Sequence, residues 1–277
     1  MALRINTNVA ALNAHRQLAD TDARLSVSME RLSSGYRINK AKDDVAGLSI
    51  ANKFRMEVRS LRMAQQNVSQ ATAMLQMAEG GAQKIEGIIE RLKELATLAA
   101  SDNTDVGGRA SLDAEAQKLL SEIDRIANDT KYSGTDLLST PVSFTFQVGS
   151  GNTAAQDRIS VTTTRGLLSS DLGISSLSLT SASNAQTALT NIDTALERVN
   201  TALGEIGAAQ SRLEFASANL AITIENIAAS ESAIRDVDMA FEVVNFTKNQ
   251  ILLQAGTAML AQANMAPQSI LALLGGR

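Results

Sequence analysis

A row of residues spaced alternately four and three positions apart constrains this chain more than any other feature. It runs Ala185, Leu189, Ile192, Leu196, Val199, Leu203, Ile206, Gln210, Leu213, Ser217, Leu220, Ile224, Ile227, and only Gln210 and Ser217 break its apolar character. The average step of 3.5 is that of a coiled-coil seam, not of the broader apolar face of a globular helix. A helix over this span is roughly 65 Å long at about 1.5 Å per residue. Such a helix exceeds the core of a small compact domain, and its narrow stripe needs other long helices to cover it. Phe215 and Ile222 are large apolar residues off the row. Gly204 and Gly207 sit within it, and each costs about 1 kcal/mol relative to Ala in an exposed helix interior. They offer either close helix contact or a bend.

Composition agrees with helix-on-helix seams. Of 277 residues only 3% are aromatic, there is no Trp, and two prolines leave long helices uninterrupted. The net charge of −4 and the lack of a long basic run argue against nucleic acid as a partner. No apolar stretch is long enough for a membrane span, and Met1 to Ala11 lacks the pattern of a cleavable signal peptide. With no cysteine there are no disulfides, thiolate metal sites or cysteine nucleophiles.

From the N-terminus, Ile5, Val9, Leu12 and Leu18, then Leu25, Met29 and Leu32, give helical spacing with a phase slip, ending at Ser33-Ser34-Gly35. Asp43-Asp44 precedes the next apolar run and reads as an N-cap rather than a metal or acid–base pair. The second helix shows one seam through Phe54, Val58, Leu61, Val68 and Leu75 and another through Ile85, Ile89, Leu92, Ala96 and Ala99, with Gly80-Gly81 between them. A third, shorter helix carries Leu112, Ala116, Leu119, Ile123 and Ile126. At Pro141 the period changes to two: Val142, Phe144, Phe146 and Val148 alternate with polar residues, as in a half-buried strand. Arg158 to Thr164 and Ile174 to Thr180 read as further short β segments. Beyond Ile227 the apolar row continues as Ile234, Val237, Phe241, Val244, Ile251, Ala255, Ala258 and Met265, with Lys248 and Gln262 interrupting, and it is shifted by one residue near Arg235 to Asp238, which implies a joint.

Several of these stretches resemble bacterial flagellin. At the start they are Ile5-Asn6-Thr7-Asn8-Val9-Ala10-Ala11-Leu12, Arg31-Leu32-Ser33-Ser34-Gly35-Tyr36-Arg37-Ile38-Asn39 and Ala41-Lys42-Asp43-Asp44-Val45-Ala46-Gly47-Leu48. At the end they are Ile234-Arg235-Asp236-Val237-Asp238-Met239-Ala240 and Gln250 through Asn264. The resemblance implies a mainly α fold. Its N- and C-terminal helices pair in a long-helix coiled-coil bundle, a small β-hairpin element lies mid-chain, and one long helix crosses Gly80-Gly81. The expected organisation is an inner terminal coiled-coil domain from 1–43 and 234–277, and a helical rod domain from 44–233 with a β element at about 141–180. Large outer domains common in the family are expected to be absent or reduced to that element.

Function follows from the same resemblance: a structural subunit, not an enzyme, that self-assembles into the flagellar filament for motility. It implies secretion through the flagellar type III apparatus without a cleaved signal. It also implies a flagellar export chaperone, the filament cap and hook-associated proteins as partners, and no cofactor or metal. The alternatives are a hook–filament junction protein and a surface adhesin resting on the β element. The assembly residues expected from the terminal apolar rows are Ile5, Val9, Leu12, Phe241, Val244, Ile251 and Leu252. These ends are expected to be poorly ordered in a solitary molecule and to fold on assembly. Arg91, Leu95 and Glu115 match the positions through which flagellins are recognised by Toll-like receptor 5. The remaining chemistry is thin: His15 stands without catalytic partners, Gly149-x-Gly151 lacks the rest of a phosphate loop, and the Asn-x-Ser/Thr tripeptides are common by chance.

Overall fold

The computed structural model describes residues 7–162 and 166–274, with side chains through residue 265. The elements are α1 (Val9–Ser34), α2 (Val45–Ala100), α3 (Val106–Asp129), β1 (Lys131–Tyr132), β2 (Thr135–Asp136), β3 (Ser143–Gln147), α4 (Ala154–Asp157), β4 (Arg158–Thr162), α5 (Ser169–Leu172), α6 (Ala182–Arg235) and α7 (Met239–Leu274). The fold is mainly α, with long terminal helices paired and a small antiparallel hairpin mid-chain, as the sequence implies. The chain divides into two compact units, Met1–Met56 with Asn226–Arg277, and Glu57–Glu225.

Short acidic and amide side chains start the long helices. The Asn8 side chain accepts from the Ala11 N–H, Asp44 from Gly47, Asp105 from Gly108, and Asp238 from Ala240 and Phe241. Each satisfies an N–H that the helix itself leaves orphaned. The cap reading of Asp43-Asp44 therefore holds for Asp44. Asp43 instead folds the preceding turn, accepting from the N–H groups of Asn39 and Lys40.

In the Glu57–Glu225 unit the core is a set of three–four rows. On α2 one row runs unbroken through Ala64, Val68, Ala71, Leu75, Ala78, Ala82, Ile85, Ile89, Leu92, Ala96 and Ala99, all buried. It crosses Gly80-Gly81 without a change of phase, so the glycine pair is neither a bend nor a break. Gly81 is there for space: a Cβ would lie 2.7 Å from the Thr130 hydroxyl oxygen and 2.8 Å from Leu138 Cδ1, whereas one at Gly80 would meet nothing.

The row on α6 differs from the one read by spacing. The covered positions are Ala185, Ala188, Ile192, Ala195, Val199, Ala202, Ile206, Ala209, Leu213 and Leu220. Leu189, Leu196 and Leu203 stand half-buried beside it. Alternating Ala with Ile or Val puts small side chains at every second step of the seam and leaves the leucines to seal its edge. Gly204 and Gly207 touch nothing that a Cβ would disturb, so close helix contact is not their role. Likewise α3 buries Ala116, Leu120, Ile123 and Ala127, while Leu119 and Ile126 are half-covered. Polar bonds cross between these helices: Gln210 donates to Glu79 at 2.9 Å and Lys93 pairs with Asp193 at 2.6 Å.

The β element is one hairpin. β3 and β4 pair antiparallel with Ser143 opposite Thr162 and Gln147 opposite Arg158. Phe144 and Phe146 stack with ring centroids 6.3 Å apart. Thr163 and Thr164 lie outside the described residues. The segment Ile174 to Thr180 is not a strand. It buries Ile174, Leu177 and Leu179, and its backbone bonds go to side chains of α3: Gln117 donates to the Leu177 carbonyl and Asp113 accepts from the Leu179 N–H. An apolar alternation satisfied by helix side chains looks the same in sequence as one satisfied by a neighbouring strand.

Candidate assembly surface

Within the unit formed by the chain ends, α1 and α7 run antiparallel. Asn8 at the start of α1 donates to the Ala263 carbonyl near the end of α7 (2.8 Å), while Arg31 near the end of α1 lies 3.7 Å from Glu242 at the start of α7. Each helix turns a three–four row toward the other. On α1 the covered or half-covered row is Ala11, Ala14, Leu18, Thr21, Leu25, Ser28 and Leu32. On α7 it is Glu242, Phe246, Asn249, Leu253, Gly256, Leu260 and Ala263. The apparent phase slip in the first helix disappears: the seam is continuous, but Ala, Thr and Ser occupy several of its steps. Gly256 lets Leu18 approach, since a Cβ there would lie 2.9 Å from Leu18 Cδ1.

This seam is thin. Ser28 and Glu242 are the only fully buried side chains among the described residues of α1 and α7. The large apolar residues are elsewhere. Phe241 is 66% exposed, Val244 64%, Ile251 60% and Leu252 48%, and on α1 Val9 is 56% and Leu12 62% exposed. Phe241, Val244, Ile251, Ala255, Ala258 and Met265 share a second three–four row, with Lys248 and Gln262 at its remaining steps, offset from the one that meets α1. Thus α7 carries two seams, one mated within the chain and one bare. The structure brings Phe241, Val244 and Ile251 onto one bare face, with Leu252 beside it and Val9 and Leu12 on the exposed side of α1. Ile5 lies outside the described residues.

Of the seam residues that pair the helices, Leu18 is in the apolar row read from sequence, while Leu253, Leu260 and the Arg31–Glu242 ion pair escape it because the reading follows the row through Phe241, Val244 and Ile251. A signal was present: a second three–four spacing through Phe246, Leu253 and Leu260. Beside the seam, Arg24, Arg31, Lys248 and Glu242 line an open groove that gives this flank a positive margin.

The second expected site lies on α2 and α3. Arg91 is exposed, donates to Glu94 at 2.6 Å and pairs with Glu115 at 3.1 Å. Its hydrogen bonds to Glu94 and then Glu115 hold its pKa above the usual arginine value. Leu95, in contrast, is 0% exposed and belongs to the buried face of α2. A leucine one turn beyond Arg91 reads as its surface neighbour, but the α2 row turns that position inward. As a contact residue for a receptor Leu95 is therefore corrected: it supports the helix that presents Arg91 and touches no solvent.

Comparison with known proteins gives the family. Residues 5–142 match the bacterial flagellin N-terminal helical region and residues 189–274 the bacterial flagellin C-terminal helical region. The chain is 37% identical to the flagellar filament 33 kDa core protein of Treponema phagedenis, over 98% of this chain and 99% of that one. It is 39% identical to flagellin of Halalkalibacterium halodurans, again over 98% and 99%. Among solved structures it resembles Bacillus cereus flagellin at 27% identity and a TM-score of 0.50, covering 56% of this chain and 88% of that one. Two matched ends that together take in most of the chain, and relatives aligned along nearly their whole length, make this chain a member of the bacterial flagellin family.

Proposed function

We propose that this flagellin builds the flagellar filament by mating the bare row of α7, with the exposed apolar residues of α1, against neighbouring copies of the same chain. The observation that carries this reading is the second row on α7, whose large apolar residues Phe241, Val244, Ile251 and Met265 stand exposed among the described residues. Burying one large apolar side chain contributes about 1.5–3 kcal/mol. Contacts that repeat head to tail without closing into a ring generate a helical filament. In this reading 1–43 and 234–277 are the inner polymerising domain, with Ile5, Val9, Leu12, Phe241, Val244, Ile251 and Leu252 as its contacts. Residues 44–233 form the helical rod domain that carries the β element.

The same bare row accounts for the other partners. A subunit secreted through the flagellar export apparatus needs its unmated face covered, which is the task of an export chaperone holding α7. The filament cap and hook-associated proteins meet the same face at the two ends of the polymer. The mechanism is packing, with no catalytic step, and the filament serves motility outside the cell. Recognition by Toll-like receptor 5 would rest on Arg91 and Glu115. Purified monomer with Arg91→Ala gives less reporter-cell response than the parent chain, and an equal response removes that role.

Seeded elongation tests the assembly reading. Ile251→Asp is expected to keep the helical content of the monomer, because Ile251 is exposed. It should lower elongation at least about tenfold by placing a charge in the apolar contact. Elongation at the parent rate would end this reading.

A further inference from the structure

The chain has nine methionines and neither cysteine nor tryptophan. The thioether is therefore its principal two-electron oxidation target. Globular cores use methionine to fill irregular gaps, yet among the described methionines only Met74 is buried, at 5% exposure. Met259 and Met265 are 64% and 57% exposed. Both stand at seam positions. Met265 lies seven residues beyond Ala258 and fourteen beyond Ile251, on the bare row of α7, and Met259 lies seven beyond Leu252. A heptad step returns to the same side of a helix. The two thioethers therefore extend the apolar rows that begin at Ile251 and Leu252.

We infer that Met259 and Met265 are modification sites for peroxide-class oxidants, and that oxidation of these thioethers stops the subunit from joining a filament. The inference rests on the assembly reading above. In the reaction a sulfur lone pair attacks one oxygen of the hydroperoxide. The S–O bond forms as the O–O bond breaks, and with hydrogen peroxide the other oxygen leaves as water after proton transfer. Sulfur loses two electrons and the peroxide bond gains them. The product is a sulfoxide, which turns a flexible apolar side chain into a polar one. On an exposed helix the monomer absorbs that change. In a mated seam the sulfoxide oxygen must give up water, a desolvation cost that the apolar thioether does not carry. Oxidation thus acts on the free subunit, and mating protects the thioethers.

The test uses the full chain treated with dilute hydrogen peroxide, followed by peptide mass mapping and seeded elongation. Met259 and Met265 are expected to convert at least about tenfold faster than Met74 in the monomer, since susceptibility follows exposure. Equal rates overturn the site assignment. The oxidised chain should elongate seeds at least about tenfold more slowly, and methionine sulfoxide reductases acting on both epimers should restore the rate. A chain carrying Met259→Leu and Met265→Leu, a nearly volume-conserving change, should elongate and keep its rate after peroxide. If it loses as much as the parent, damage elsewhere is responsible and the inference fails. Met259→Gln with Met265→Gln should elongate slowly without any oxidant, and a parent-like rate overturns the inference. Failure of the untreated parent to elongate overturns the assembly reading and the blocking role with it, while the peptide map still decides where oxidation falls.

Discussion

The guanidinium of Arg235 lies 4.2 Å above the ring of Tyr36. Two backbone bonds frame that contact: the Arg37 N–H donates to the Arg235 carbonyl at 2.7 Å, and the Val237 N–H donates to the Gly35 carbonyl at 3.0 Å. Gly35 ends α1 with φ of 73°, a left-handed conformation that suits glycine. The break between α6 and α7 frees backbone groups that residues 35–37 then satisfy. Nε and Nη1 of Arg235 are buried without a hydrogen-bond partner, so the ring face is what compensates the charge. Tyr36→Leu is expected to destabilise this joint by about 1–2 kcal/mol, the range of a partly desolvated cation–π contact. Tyr36→Phe, which keeps the ring, should be nearly neutral. Amide exchange of Arg37 and Val237 reports both, and equal effects of the two changes would remove the ring from the account.

Arg31 and Glu242 form the one ion pair of the α1–α7 seam among the described residues, with the Glu242 side chain only 6% exposed against 33% for Arg31. Removing one partner of a covered pair leaves the other charge desolvated, while replacing both by apolar groups is often harmless. Arg31→Ala should therefore loosen the pair of helices by about 1–3 kcal/mol. The double change Arg31→Met with Glu242→Leu should recover most of that. Limited proteolysis within α1 and α7 measures it, and a double change worse than Arg31→Ala contradicts the argument.

The two glycines in the middle of α2 should respond oppositely to alanine. At Gly80 a Cβ meets open space, so Gly80→Ala should stabilise by about 0.5–1 kcal/mol through helix propensity. At Gly81 the same atom would press on Thr130 and Leu138. Gly81→Ala should destabilise by about 1–3 kcal/mol as the covering loop is pushed off. Thermal unfolding of the two variants gives the signs directly.

These glycines also mark what a sequence can and cannot disclose. Heptad spacing reports that a helix is long and seamed, so the α2 and α6 helices and the hairpin from Ser143 to Thr162 were legible. It does not report which of two seams is used. Along α7 the row that draws the eye is the exposed one, through Phe241, Val244 and Ile251, although Lys248 and Gln262 interrupt it. The row that folds the chain on itself is diluted with Glu242, Asn249 and Gly256. On α6 the eye follows Leu189, Leu196 and Leu203, while the closest packing uses Ala188, Ala195 and Ala202. Apolar spacing thus picks out the row of α7 that stands exposed, while Leu95 is buried because a position one turn from an exposed arginine can still face inward.

The turn before α2 gives a pH dependence with a definite sign. Asp43 accepts from the Lys40 and Asn39 N–H groups, at 2.9 and 3.2 Å, and these bonds, Lys40 first, hold its pKa below the usual value of 3.8. A lowered carboxylate pKa contributes stability that is present above the unfolded value and lost as pH falls through the folded one. Lys40 works in the opposite sense. Its hydrogen bond to Glu30 raises its pKa above 10.5, so that contribution is present below the ordinary lysine value and lost at more alkaline pH. The amide resonances of Asn39 and Lys40 should shift together on acidification, below the ordinary aspartate range, and Asp43→Asn should abolish the shared transition. Independent midpoints for the two amides would rule out a common carboxylate.

Leu252 and Leu253 are neighbours in sequence with opposite assignments. Leu253 sits in the row that meets α1, half-covered, and Leu252 stands about half exposed on the flank of that row, at the groove that Arg24 and Val27 of α1 also line. A helix advances about 100° per residue, enough to carry one leucine into the row that meets α1 and leave the next on its open flank. Leu253→Ala should weaken the α1–α7 pair by about 1 kcal/mol, a fraction of the value of full burial. It should speed protease cleavage of the monomer at both ends. Leu252→Ala should leave that cleavage rate unchanged and slow seeded elongation. The two readouts separate if, as proposed above, the residues left exposed on α7 are the ones that meet neighbouring copies. If Leu252→Ala destabilised the monomer while elongation of the folded fraction stayed at the parent rate, the division of α7 into a mated and a bare seam would be wrong.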